Sequence, residues 1–337
     1  MQSREIQLIR RPVGTPVAED FALVTRDVPP PAPGEVQVRN LYMAVDPAMR
    51  GRMSDAASYV PPFVLEAPME GPAIGEVTAS AHPDFKPGDL VFSRLGWREV
   101  FNAPAEALQH RDAAALPPSA YLGFAGSTGL TAYAGLFRIA QLREGDVVFI
   151  SAASGAVGSI ACQIARIKGC KVIAAAGGPR KKAFLEEVLG VDAAIDYKAE
   201  PNLTKALARA VKAIGVTGID VNFENVGGDH LQAALALANK HARFAICGMI
   251  SQYNVTDAPT VPKNLTALMT KSIRMEGYIV LDHMDLEAQF LTDMTAWHKA
   301  GLIRQAETIH EGIDHALDAF HGLFSGDNLG RTLVKLG

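Results

Sequence analysis

The chain has 337 residues, 48% hydrophobic and 20% charged, with 32 cations against 36 anions for a net charge of −4. At roughly 150 residues per domain this suffices for two domains with well-developed cores. The balance excludes a disulfide miniprotein, wholesale disorder and a strongly basic nucleic-acid binder, the only short cationic cluster being Arg180-Lys181-Lys182.

The N-terminal MQSREIQLIRRP has no continuous apolar region of the kind a signal peptide needs. Residues 1–120 carry most of the prolines and many short β-like runs, such as EVQVRNLYMAV and GDLVFSRLG, separated by the turn clusters PPPAPGE and HPDFKPGD. This part reads as a mostly β domain. From 121 to 300 short apolar runs alternate with helical patterns, the mark of βαβ units around a parallel sheet, with strands expected at 147–150, 171–176, 193–195, 221–223, 244–247 and 276–280. After 300 short strand signals return, ending in RTLVKL, so about 301–337 are expected to complete the first domain. The fold class is α/β, a doubly wound parallel sheet of the Rossmann kind plus a β-rich domain.

Residues 147–165 form a 19-residue stretch with no charge, but its three serines, two glycines and glutamine read as strand, turn and helix rather than as a membrane span. Three cysteines, Cys162, Cys170 and Cys247, make no closed disulfide set and suit a reducing compartment, so the cytoplasm is the expected location.

The most informative segment follows the strand VVFI. There Ala153-Ser154-Gly155-Ala156-Val157-Gly158 matches the dinucleotide fingerprint G-x-G-x-x-G, with alanine at the first glycine position, and opens a helix with apolar Val157, Ile160, Ala161, Ile164 and Ile167. A glycine at 155 lets backbone amides approach a pyrophosphate, one at 158 lets the helix pack closely on the sheet, and the helix N-terminus offers unpaired N–H donors. The alternative is a tight turn between any strand and helix.

An NAD site would place an acid about 20 residues on, at the end of the second strand. No acidic residue lies between Asp146 and Glu186, and that strand runs into Gly177-Gly178-Pro179-Arg180-Lys181-Lys182. A 2′-phosphate would meet cations there, which favours NADPH; ordinary surface lysines at a helix start are the alternative.

With GAVG at 155–158, GCKVIAAAGGPRKK at 169–182, FENVGG at 223–228, CGMISQYN at 247–254, GDNLGRTLVKL at 326–336 and LYMAVDPAMRGRM at 41–53, the chain resembles the zinc-independent medium-chain dehydrogenase/reductases. Within them it is most similar to the prostaglandin reductase, 2-alkenal double-bond reductase and curcumin reductase branch. The resemblance implies a GroES-like catalytic domain beside a Rossmann NADPH-binding domain, an active site in the intervening cleft, and usually a homodimer. It also implies that Gly155, Ala156, Val157 and Gly158 contact the pyrophosphate and that Lys181 and Tyr197 serve the 2′-phosphate end. Asn225, then Cys247, Gly248, Met249, Ile250, Ser251, Gln252 and Tyr253, then Tyr278, Ile279, Val280 and Asn328 would line the path to the nicotinamide. One departure is Ala125-Gly126-Ser127-Thr128-Gly129, where the family commonly has Gly-Met-Pro-Gly before Leu-Thr-Ala-Tyr.

No zinc site is expected. Neither a catalytic Cys/His set nor a four-cysteine lobe can be assembled, and His310, His315 and His321, read on one helix, fall on different faces. No G-x-S-x-G elbow is present, and Cys247 beside Gly248 reads as a small residue near the cofactor rather than a nucleophile. A Rossmann enzyme without metal or nucleophile suits hydride transfer to the β-carbon of an α,β-unsaturated ketone or aldehyde. Tyr253, in the loop after the 244–247 strand, is the candidate proton or hydrogen-bond donor, with solvent as the alternative proton source and simple packing as the alternative role. Tyr42 is a pocket candidate, and Asp46 with Arg50 reads as a structural ion pair. A quinone reductase is the second enzymatic reading; a non-catalytic NADPH-binding sensor or structural protein is the reading of another class.

Overall fold

The computed structural model describes residues 1–257 and 261–337, which divide into two compact units. The first comprises Met1–Leu122, Tyr253–Thr256 and Glu307–Gly337; the second comprises Gly123–Gln252 and Asp257–Ala306.

The first unit is built on β-structure. An antiparallel pair, Gln2–Leu8 with Phe21–Asp27, accompanies a seven-stranded sheet. Across that sheet run Glu307–Glu311, Arg331–Lys335, Glu35–Ala44, Ala73–Ser80, Leu90–Ser93 and Gln109–His110, with Val100–Pro104 also paired to Glu35–Ala44. The C-terminal strand is thus an interior member, antiparallel to Glu35–Ala44. Two apolar clusters form, one around Val36, Val38, Val77 and Phe101 and the other around Met43, Trp97, Phe320 and Val334. Burying these side chains is the main favourable term for such a sheet.

Within this unit the expected Asp46–Arg50 pair does not form. Asp46 receives both guanidinium nitrogens of Arg331, whose side chain is almost wholly buried. Arg50 instead donates to the Gly14 carbonyl at 2.8 Å and to Asn254 Oδ1 at 3.0 Å. The carboxylate fork offsets the desolvation of the Arg331 guanidinium, and it comes from a segment nearly three hundred residues away.

The second unit holds a six-stranded, wholly parallel sheet in the order Ala193–Asp196, Lys171–Ala176, Val147–Ile150, Ile219–Glu224, Ala238–Ile246, Arg274–Gly277. In chain sequence that is 3-2-1-4-5-6, the doubly wound order. Strands covered on both faces read as continuous apolar runs, and all four residues of VVFI are buried. The helix Leu203–Ala213 shows the complementary pattern. It buries Leu203, Ala206, Leu207, Ala210 and Val211 on one face, and Asn202 caps it by accepting from the Lys205 N–H at 2.9 Å.

Two strands differ from the sequence reading. The strand expected at 244–247 begins at Ala238 and ends at Ile246, because the Cys247 and Gly248 N–H groups turn away to the Glu224 carbonyl. The strand expected at 276–280 is Arg274–Gly277; the apolar run after it is buried differently, with Tyr278 turned inward so that its hydroxyl donates to the Thr131 carbonyl at 2.8 Å. The uncharged stretch 147–165 is strand, turn and the start of the helix Ala156–Ile167, and no helix among the described residues is long and apolar enough to cross a membrane.

One side chain joins the ends of the central strands. Glu224 is fully buried at the end of Ile219–Glu224. Its Oε1 accepts from Ser151 Oγ at 2.6 Å, from the Val226 N–H at 2.9 Å and from the Gly227 N–H at 3.0 Å, while Oε2 accepts from Asn222 Nδ2 at 3.1 Å. Leaving such donors unsatisfied costs about 1–3 kcal/mol each. Glu224→Ala is therefore expected to destabilise the chain by about 3 kcal/mol or more. Glu224→Gln, which keeps an acceptor and can pair with a rotated Asn222 amide, should cost about 1 kcal/mol. Denaturant midpoints of the two variants check this; equal, small losses would show that the network holds nothing.

Candidate cofactor and active site

The fingerprint turn sits where the doubly wound order predicts, between the first strand and the first helix. Gly155 is the N-cap residue of Ala156–Ile167; no side chain caps that helix and its first turn contains no acid. Its leading N–H groups therefore remain available to an external anion. A Cβ at Gly155 would meet only the Ala152 carbonyl at 3.2 Å, so the space beside it is open on the protein side. At Gly158 a Cβ would collide with the Ala152 carbonyl oxygen and lie 2.8 Å from Ala153 Cα. Gly158 thus serves close packing and Gly155 serves approach. Ala153, at the first glycine position, is fully buried, and its N–H donates to Ala175 at 2.9 Å. Ala152, one residue earlier, takes the positive φ of 46°.

Several other candidates gather at the carboxyl ends of the same strands. Asn225 donates from Nδ2 to the Ser151 carbonyl at 2.7 Å, and its N–H donates to Ser151 Oγ at 2.8 Å. The Ile250 N–H reaches the Asn225 carbonyl at 3.1 Å, and Ser251 Oγ donates to the Val226 carbonyl at 2.6 Å. These bonds fix the turn of Cys247, Gly248, Met249, Ile250, Ser251 and Gln252 against the 225–227 loop. Tyr278 lies beside Cys247. Burial pushes the Cys247 thiol up to about 11, so it is protonated and poorly nucleophilic at neutral pH. Ile279 and Val280 follow Tyr278, both half-buried.

Lys181 lies in the short helix Pro179–Ala183 after the second strand, and Tyr197 directly follows the third. Of the cationic cluster, Lys182 pairs with Glu186 at 3.5 Å. The acid missing from the second strand is supplied from its neighbour: Asp196 Oδ1 accepts from the Gly178 N–H at 2.7 Å and the Lys198 N–H at 3.1 Å, so that oxygen is committed to backbone. Tyr197 is half-buried, and burial raises its phenol above the ordinary value.

Tyr42, Tyr253 and Asn328 belong to the β-rich unit. Tyr42 is half-buried in Glu35–Ala44, opposite Ile74 and Lys335. Asn328 borders a hollow of about 400 Å³ with Thr308, His321 and Thr332. Tyr253 follows the 247–252 turn, in the loop after the fifth strand. The chain leaves the second unit at Gln252, and Tyr253–Thr256 groups with the first, where Asn254 accepts from Arg50. The three histidines differ from their reading on one helix: His310 is in Glu307–Glu311, His315 ends a short helical turn, and His321 is in the helix Ala316–Ser325. Among the described residues no group of three or more His, Cys, Asp or Glu side chains is arranged to hold a metal ion.

The departure at 125–129 has a local solution. Thr128 Oγ1 donates to the Gly123 carbonyl at 3.0 Å, Gly126 precedes the helix Ser127–Ala134, and the Phe124 carbonyl fills the space a Cβ at Gly129 would need.

Sequence reasoning missed Glu224, Ser151, Asp196 and Lys198. For Glu224 a signal existed, an acid closing the fourth strand just before the Gly227-Gly228 turn.

Comparison with known proteins agrees with this architecture. Residues 4–110 match the family described as the N-terminal domain of oxidoreductase, and residues 156–296 match the family described as zinc-binding dehydrogenase. The NADPH-dependent curcumin reductase of Escherichia coli is 38% identical over 99% of this chain and 97% of its own length. The NADP(+)-dependent 2-alkenal reductase of Nicotiana tabacum is 40% identical over 91% of this chain and 89% of its own. The crystal structure of CurA from Vibrio vulnificus in complex with NADPH superposes with a TM-score of 0.92 at 41% identity, covering 99% of both chains. The chain belongs to the zinc-independent medium-chain dehydrogenase/reductases, in the branch that holds the prostaglandin, 2-alkenal and curcumin reductases.

Proposed function

We propose that this protein is an NADPH-dependent, metal-independent reductase of the carbon–carbon double bond of α,β-unsaturated ketones and aldehydes. The observation that carries the reading is the uncapped, acid-free start of Ala156–Ile167 beside a second strand that ends without an acid and runs into cations. The curcumin and 2-alkenal reductase relatives support the substrate class.

When bound, NADPH supplies the hydride. Gly155, Ala156, Val157 and Gly158 would hold its pyrophosphate, and Lys181 and Tyr197 the 2′-phosphate. Asn225, the 247–252 turn, Tyr278, Ile279, Val280 and Asn328 would serve the nicotinamide end. As the β-carbon of the substrate gains hydride, negative charge moves to the carbonyl oxygen. Tyr253 donates a hydrogen bond to that oxygen, where a donor stabilises the enolate more than the ground-state carbonyl. The α-carbon then takes a proton from Tyr253 or from solvent. Tyr42 borders the substrate.

Two further readings concern the whole protein. A homodimer is supported by Arg274–Gly277, an edge strand whose four residues are all exposed, with exposed Met269 and Met284 nearby in sequence. A cytoplasmic location is supported by three free cysteines.

NADPH oxidation is expected with simple enals and enones without added zinc; turnover of quinones alone, or none with tight NADPH binding, would favour the two competing readings. Tyr253→Phe should lower kcat by about tenfold to a thousandfold with NADPH affinity nearly unchanged; an unaltered kcat removes its role. Lys181→Ala should weaken NADPH about tenfold or more and NADH little, measured by titration calorimetry, and equal losses would remove the phosphate clamp.

A further inference from the structure

We propose that Lys198 is a second cation of the 2′-phosphate site, presented by a segment of the third strand that is clipped across Gly177. The proposal deepens the NADPH reading above and rests on it.

Two hydrogen bonds tie residues 196–198 to residues 176–178, and a third holds 196–198 in its own turn. The Tyr197 N–H donates to the Ala176 carbonyl at 3.1 Å, and Asp196 Oδ1 accepts from the N–H groups of Gly178 at 2.7 Å and Lys198 at 3.1 Å. Gly177 is the first residue after the second strand, the position at which an NAD-binding fold projects its acid. Here that volume is taken. A Cβ at Gly177 would lie 2.9 Å from Tyr197 Oη and 3.0 Å from Lys198 Cε. The phenol and the lysine arm therefore converge on one α-carbon, where a ribose-binding carboxylate would otherwise stand.

The tyrosine is held from behind as well. His230, 6% exposed, packs edge-on against its ring with centroids 4.9 Å apart and planes at 80°. The platform is thus rigid before any ligand arrives, which lowers the entropy cost of binding. Lys198 is exposed and enters no ion pair among the described residues, whereas Lys182 is engaged by Glu186. Asp196 places one negative charge in the same segment, which the Lys198 cation balances. A dianionic phosphomonoester on the adenosine ribose is the ligand group that this pairing of cations and phenol fits.

Titration calorimetry of the full chain with NADPH and with NADH, at low and moderate salt, tests the assignment. Lys198→Ala should weaken NADPH about tenfold or more, leave NADH within about twofold and flatten the salt dependence of NADPH binding. Lys198→Arg should restore most of the affinity, and the Tm of the unliganded chain should not change, because the side chain is exposed. If wild type prefers NADPH but Lys198→Ala leaves that preference intact, or weakens both cofactors equally, the second-cation assignment is overturned while the NADPH reading stands. If wild type itself shows no preference for NADPH, both fall together.

Discussion

The nucleotide-binding architecture depends on one buried carboxylate. Parallel strands end with N–H and carbonyl groups directed beyond the sheet, and the loops that leave them must satisfy those groups without filling the space a ligand needs. Glu224 does this for the first and fourth strands at once, and the Glu224 carbonyl does it for the fifth by accepting from Cys247 and Gly248. The fingerprint turn, the 225–227 loop and the 247–252 turn are therefore parts of one hydrogen-bonded rim. A hydroxyl, two backbone amides and a side-chain amide share the carboxylate, so the charge is dispersed over donors rather than cancelled by a cation.

The β-rich unit is held by a different logic. Its sheet takes an interior strand from the C-terminal segment, and the Arg331 guanidinium on that strand is forked onto Asp46, in the motif DPAMRGR. Closing the sheet and orienting that motif are one event. The four residues that follow Gln252 join the same unit through Asn254 and Arg50, so the chain runs from the 247–252 turn into the β-rich unit at Tyr253. Tyr253 thus groups with the β-rich unit, although the residues just before it are bonded to the nucleotide sheet.

On the proposed reading, cofactor preference arises from two strands rather than one. The second strand contributes an absence, the lack of an acid at its end; the third contributes what fills the gap, Tyr197 and the Lys198 arm over Gly177. A sequence pattern that inspects the second strand alone sees only the first half. The acid does exist, as Asp196, but it spends an oxygen on the Gly178 and Lys198 amides and so shapes the loop.

Local sequence determined the number and order of the βα units, the fingerprint helix, the mostly β character of residues 1–120 and the return of the chain to strand after 300. Each of these is written in periodicity, glycine placement and turn residues, which act over a few positions. The same short range explains what was not legible. Arg331 rather than Arg50 as the partner of Asp46, Tyr278 turned inward instead of extending a strand, Tyr253 grouped with the β-rich unit and the three histidines spread over three elements are long-range pairings. Several residues were equally plausible partners by type, and burial chose among them. Tertiary structure decided these because desolvating a charge or a phenol is costly unless a partner stands at the right distance, and which partner stands there is set by how distant strands register, a property no short window of sequence contains.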